Sequence, residues 1–118
     1  LVPYWDYDAP VTKETPRDVS AASVTASAMI ELSTMVPDGQ KYLDYAEKIL
    51  KSLSSDAYLA KVGDNQGFIL MHSVGSLPNG SEIDTPLNYA DYYYLEALKR
   101  FMELKKLRVE NGELRVIQ

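Results

Sequence analysis

Three stretches of the chain place apolar residues at helical spacing, and they differ in how far round the helix the apolar surface extends. In the second of them Tyr42, Tyr45, Ala46, Ile49, Leu50 and Leu53 recur at i, i+3, i+4, i+7, i+8 and i+11, while Lys41, Asp44, Lys48 and Lys51 lie opposite. That pattern predicts a one-sided surface helix over 39–53. The first stretch is different: Ala21, Ala22, Ser23, Thr25, Ala26, Ser27 and Ala28 make it small on nearly all faces, so neighbouring helices can approach from several sides at once. It predicts a helix over 16–35 that stops before Pro37. In the third, over 86–107, Leu87, Tyr89, Ala90, Tyr92, Tyr93, Tyr94 and Leu95 are apolar or aromatic on every side, as in a helix surrounded by protein. Beyond Leu95 it turns amphipathic, with Leu98, Phe101 and Met102 inward and Lys99, Arg100, Glu103, Lys105 and Lys106 outward. A buried helix, a one-sided helix and a second buried helix is the alternation of an inner and an outer ring.

Start signals fit these bounds. Thr15-Pro16-Arg17-Asp18 reads as N-cap, first position and acidic third position, and Thr85-Pro86-Leu87-Asn88 repeats the arrangement before the last helix. Residues 1–14 are rich in proline and irregular. A long loop over 63–84 feeds the last helix, and loops of that length in compact domains are functional or disordered; the turn residues Leu77-Pro78-Asn79-Gly80 favour order. Before and within it, 54–59 reads as a short helical turn and 67–71 as a buried extended run. The end of the chain reads either as a short hairpin pairing 107–109 with 114–117 across Glu110-Asn111-Gly112-Glu113, or as a disordered tail.

With 118 residues, 46% of them hydrophobic, the chain makes at most one domain with a real core. It opens on Leu1 and its first methionine is Met29, so it reads as a piece of a longer protein. A net charge of −5 argues against nucleic acid or an anionic membrane as partner. No apolar run approaches the ~20 residues that span a bilayer. One histidine, no cysteine and no calcium-loop spacing of acids lead us to expect no metal and no cofactor. The compartment is not fixed by the sequence.

The candidate chemistry is that of a sugar site. Tyr4, Trp5 and Tyr7 alternate with Asp6 and Asp8, and a pyranose packs its C–H face on a ring while its hydroxyls seek acceptors; Trp5 is otherwise a core plug under the next helix. Arg17 and Asp18 either face a cleft or only cap and pair. His72, at the mouth of the long loop, is the side chain that titrates near neutrality, or else a hydrogen-bonded structural residue. Ser73 and Ser76, three apart around Gly75, are placed to aim hydroxyls at one anion.

Three blocks in order, VPYWDYDAP, PRDVSAASVTASAMIELS and HSVGSLPNGSEIDTPLNYADYYYLEALKR, resemble the C-terminal third of the unsaturated glucuronyl hydrolases, glycoside hydrolase family 88, over residues 2–101. The resemblance implies an all-α fold, the C-terminal segment of an (α/α)6 toroid. It also implies an enzyme that releases unsaturated glucuronic acid from lyase-generated glycosaminoglycan oligosaccharides by hydrating a vinyl ether. Its two catalytic aspartates are expected outside this chain, because none of Asp6, Asp8, Asp18, Asp84 and Asp91 matches their positions. His72, Ser73, Ser76, Trp5 and Arg17 are the expected substrate-binding residues, in a cleft wall completed by the rest of the catalytic domain. Some members carry Ser-x-x-Ser-x-Lys in the loop for a substrate sulfate; here Pro78 replaces the lysine. Two alternatives remain, an unsaturated rhamnogalacturonyl hydrolase segment and a non-catalytic helical module that packs on another protein.

Overall fold

A computed structural model describes residues 1–110, with side-chain surroundings given through residue 107. Among the described residues the regular elements are α1 (Val19–Ser33), α2 (Gln40–Leu53) and α3 (Asn88–Glu110), plus single 3-10 turns at Asn65–Gly67 and Leu77–Asn79.

α1 starts later than the cap signals suggest. Asp18, not Thr15, is the N-cap: its backbone is extended and its Oδ1 accepts hydrogen bonds from the Ser20 amide (3.0 Å) and hydroxyl (2.6 Å). Pro16 and Arg17 are excluded from the helix because the entry segment pairs with them. The Trp5 amide donates to the Pro16 carbonyl (3.0 Å) and the Asp18 amide to that of Pro3 (2.9 Å). Thr85 likewise does not cap α3, because its backbone exchanges both hydrogen bonds with Ser73. α3 continues through Glu110, so the proposed strand at 107–109 is helical; its partner at 114–117 lies outside the described residues.

α1 lies between α2 and α3, which scarcely touch each other. Its small residues make this possible: Ala22, Ala26 and Ile30 meet Leu43, Ala46, Ile49, Leu50 and Leu53 of α2 and Ala90, Tyr94 and Ala97 of α3. Burying each large aliphatic of this set contributes about 1.5–3 kcal/mol. The α2 stripe is centred on Leu43; Tyr45, expected inward, is exposed at its edge. α3 is not covered all round. Tyr92 is 61% and Leu95 51% exposed, Met102 points outward, and Leu104 takes the inward place expected of it. Arg100 is half-buried rather than outward. Its Nη1 donates to the Ser27 carbonyl (3.1 Å) and hydroxyl (3.0 Å), while the Ser27 hydroxyl donates to Glu96 Oε1 (2.6 Å). These bonds clamp α1 to α3.

The long loop is tied down at both ends. Within 54–59 the Tyr58 and Leu59 amides both donate to the Ser55 carbonyl in a single helical turn, and the extended run at 68–71 pairs with this segment through the Leu59–Leu70 bridge. Asp91, on the first turn of α3, accepts hydrogen bonds from the amides of Ile69 (2.9 Å) and Leu70 (3.0 Å), holding that run against the helix.

Candidate functional site

The N-terminal end of α1 and the approach to α3 lie together because the loop is stitched to both. The Val19 amide, the first of α1, donates to the His72 carbonyl (3.0 Å), and the Val74 amide donates to Asp18 Oδ1 (3.2 Å). Asp18 thus caps its own helix and anchors the loop with one oxygen. Between His72 and Val74, Ser73 pairs with Thr85 and sets the entry to α3.

Beside this junction opens a cleft of about 470 Å³ lined by Lys13, Glu14, Arg17, Tyr58, His72 and Asp84, with Thr15, Pro16, Ala57 and Ile83 between them. Its polar groups converge on His72, whose Nδ1 lies 2.5 Å from Asp84 Oδ1 and whose ring meets Tyr58 edge-on at 6.2 Å. Arg17 is partly committed: its Nη1 donates to the Val2 carbonyl (2.6 Å), its Nη2 to the Tyr4 hydroxyl (3.2 Å), and the guanidinium sits over the Tyr4 ring. Lys13 and Arg17 balance Glu14 and Asp84 in formal charge, so the cleft carries no strong field for an anion. Near the junction the Tyr89 phenol is pushed up by burial, with the carboxylates of Asp18 and Glu82 adding to the shift, so it stays a neutral hydroxyl.

Of the five residues singled out from sequence, the structure brings Arg17 and His72 to this cleft. Trp5 is half-buried and is not among the lining residues. Ser76 is half-buried, its hydroxyl accepting from Asn79 Nδ2 (2.9 Å). Ser73 is fully buried, and its hydroxyl has no partner among the described residues. The two serines therefore sit in unlike surroundings. A buried hydroxyl without a partner costs stability, so Ser73→Ala should leave the protein as stable or raise its stability, by up to about 1–3 kcal/mol. Urea unfolding of wild type and variant measures it, and a clear loss of stability would mean that the hydroxyl is satisfied in solution.

Asp84, Tyr58, Lys13 and Glu14 were not legible as cleft residues. Asp84 closes the 63–84 loop in sequence and faces His72, twelve residues away. No periodicity reports such a meeting, because it depends on where the loop is pinned. Among the described residues no cluster of three or more acids and histidines is placed to hold a metal, and no helix is long and apolar enough to cross a membrane.

Comparison with known proteins adds the following. No family model matches the chain. The unsaturated glucuronyl hydrolase of Formosa agariphila is 50% identical over 103 residues, which is 87% of this chain and 26% of that protein. The crystal structure of an unsaturated glucuronyl hydrolase specific for heparin superposes with a TM-score of 0.86 at 67% identity, covering 89% of this chain and 28% of that one. A mutant of the Streptococcus agalactiae enzyme, complexed with dGlcA-GalNAc6S, superposes at 0.76 with 32% identity over 85% of this chain and 27% of that one. The chain thus spans about a quarter of the length of the relatives it matches. Its fold is all-α, a segment of an (α/α)6 toroid.

Proposed function

We propose that this chain, a relative of the unsaturated glucuronyl hydrolases over most of its length, is the C-terminal segment of a single toroidal catalytic domain and supplies a wall of its sugar cleft. The parent protein is then a glycosidase that releases unsaturated glucuronic acid from the non-reducing end of glycosaminoglycan oligosaccharides. An aspartate outside these 118 residues protonates the unsaturated ring and activates water, and hydration of the vinyl ether leads to loss of the sugar. The 50% identity across 87% of the chain carries this reading. The cleft at the N-terminal end of α1 supports the local part of it, since an aromatic ring, cations and carboxylates in a concave site are what a sugar takes.

Within that cleft His72 and Arg17 are the side chains proposed to touch substrate. Ser73, buried in this structure, and Ser76 act as parts of the loop that carries His72; Trp5 backs the entry segment that pairs with Pro16. With Pro78 where some relatives have a lysine and the cleft charges balanced, recognition here rests on hydroxyls more than on sulfate. The test follows the fall in ultraviolet absorbance of the unsaturated uronate on chondroitin and heparin disaccharides, using the full-length protein. Turnover is expected, and His72→Gln should raise KM with little change in kcat, the mark of lost uniform binding. A protein inert on both disaccharides would sink the assignment. An unchanged KM in His72→Gln would remove the cleft from it.

A further inference from the structure

His72 and Asp84 are twelve residues apart, and each immediately precedes a partner in the Ser73–Thr85 bridge, whose amides and carbonyls exchange bonds of 2.9 and 3.0 Å. Both adopt left-handed backbone, with φ of +70° and +48°. That conformation is costly for residues with a Cβ and persists where surrounding structure imposes it. Here the imposing contacts are the bridge and the Val19 amide, which holds the His72 carbonyl at 3.0 Å. The pair that results is half-exposed, 44% and 58% for the two side chains. Exposed ion pairs contribute little to stability, so the strain has no return in folding. Its return is in where the ring is put, which is the cleft.

Resting on the reading of that cleft as a sugar subsite, we infer that Asp84 is a positioning residue that fixes the tautomer and orientation of His72, leaving Nε2 to accept a hydrogen bond from a sugar hydroxyl. A carboxylate offers only acceptors, so Nδ1 carries the proton, and in the neutral form of the ring Nε2 is then the acceptor. Tyr58, edge-on to the ring, limits its rotation. Among the described residues Nε2 has no hydrogen-bond partner. Sugar hydroxyls are donors, and the balanced charges of Lys13, Arg17, Glu14 and Asp84 leave the site suited to a hydroxyl rather than an anion.

Kinetics of the full-length protein test this. Asp84→Asn keeps the size but removes the charge, and its amide can offer either an oxygen or an N–H to Nδ1, so the ring is no longer held in one tautomer. KM for the unsaturated disaccharide should rise about two- to tenfold, the span of one neutral hydrogen bond, with kcat unchanged to within about twofold. Asp84→Glu should recover part of the loss. In the His72→Gln/Asp84→Asn double variant KM should be no higher than in His72→Gln alone, because Asp84 acts only through the ring. Independently of any Asp84 variant, the ring-nitrogen NMR signals that disappear in His72→Gln should show the proton on Nδ1. A raised KM in His72→Gln with none in Asp84→Asn, multiplying effects in the double variant, or a proton on Nε2 would each overturn the positioning role while leaving the subsite standing. An unchanged KM in His72→Gln overturns the subsite and this inference with it.

Discussion

Asp91→Ala should destabilise the full-length protein by about 3–5 kcal/mol and free the 63–84 loop from α3. Both oxygens of Asp91 are used, one for the Ile69 amide and one for the Leu70 amide, and the run they hold includes the fully buried Leu70. Each of these part-buried amides left without an acceptor costs on the order of 1–3 kcal/mol, and bonds to a charged acceptor lie toward the upper part of that range. Asp91→Asn should cost roughly half as much, since the amide oxygen replaces one acceptor while its NH2 faces the second donor. Urea unfolding gives the stabilities, and hydrogen exchange at Ile69 and Leu70 reports the local opening. The loop also carries His72, so KM should rise in Asp91→Ala even at temperatures where the protein stays folded. Unchanged protection of the two amides would mean that the loop is held by its pairing with 58–60 alone.

Produced by itself, the 118-residue chain should show no turnover of unsaturated disaccharides, several orders of magnitude below the full-length protein. It spans about a quarter of the length of its relatives, and on the proposed reading the groups that protonate the substrate and activate water lie outside it. It should also self-associate, because Tyr89, Tyr92, Leu95 and Met102 all stand exposed on α3. Sedimentation and the ultraviolet assay read the two outcomes separately. Measurable turnover by the chain alone would place the chemistry within these residues.

Periodicity alone determined that there are three helices, and it placed α2 to within a residue, because a one-sided apolar stripe at 3.6 spacing needs only local sequence to be seen. The small residues of α1 likewise announced a helix approached from several sides, and it does lie between the other two. Helix starts were less legible. Thr15 and Thr85 are good caps in isolation, but the backbone of each neighbourhood is claimed by a distant strand-like segment, residues 3–5 in one case and Ser73 in the other, and a long-range hydrogen bond outweighs a local preference. The fully apolar start of α3 was visible, while the exposure of Tyr92 and Leu95 depends on which neighbours are present. Of the candidate site, the sequence supplied Arg17 and His72 as individuals. Only the tertiary structure decided that Asp84 faces His72, that Asp91 holds the loop and that Ser73 is buried. Those outcomes follow from where the loop is pinned to α1 and α3, through contacts between residues up to 56 apart that no local pattern encodes.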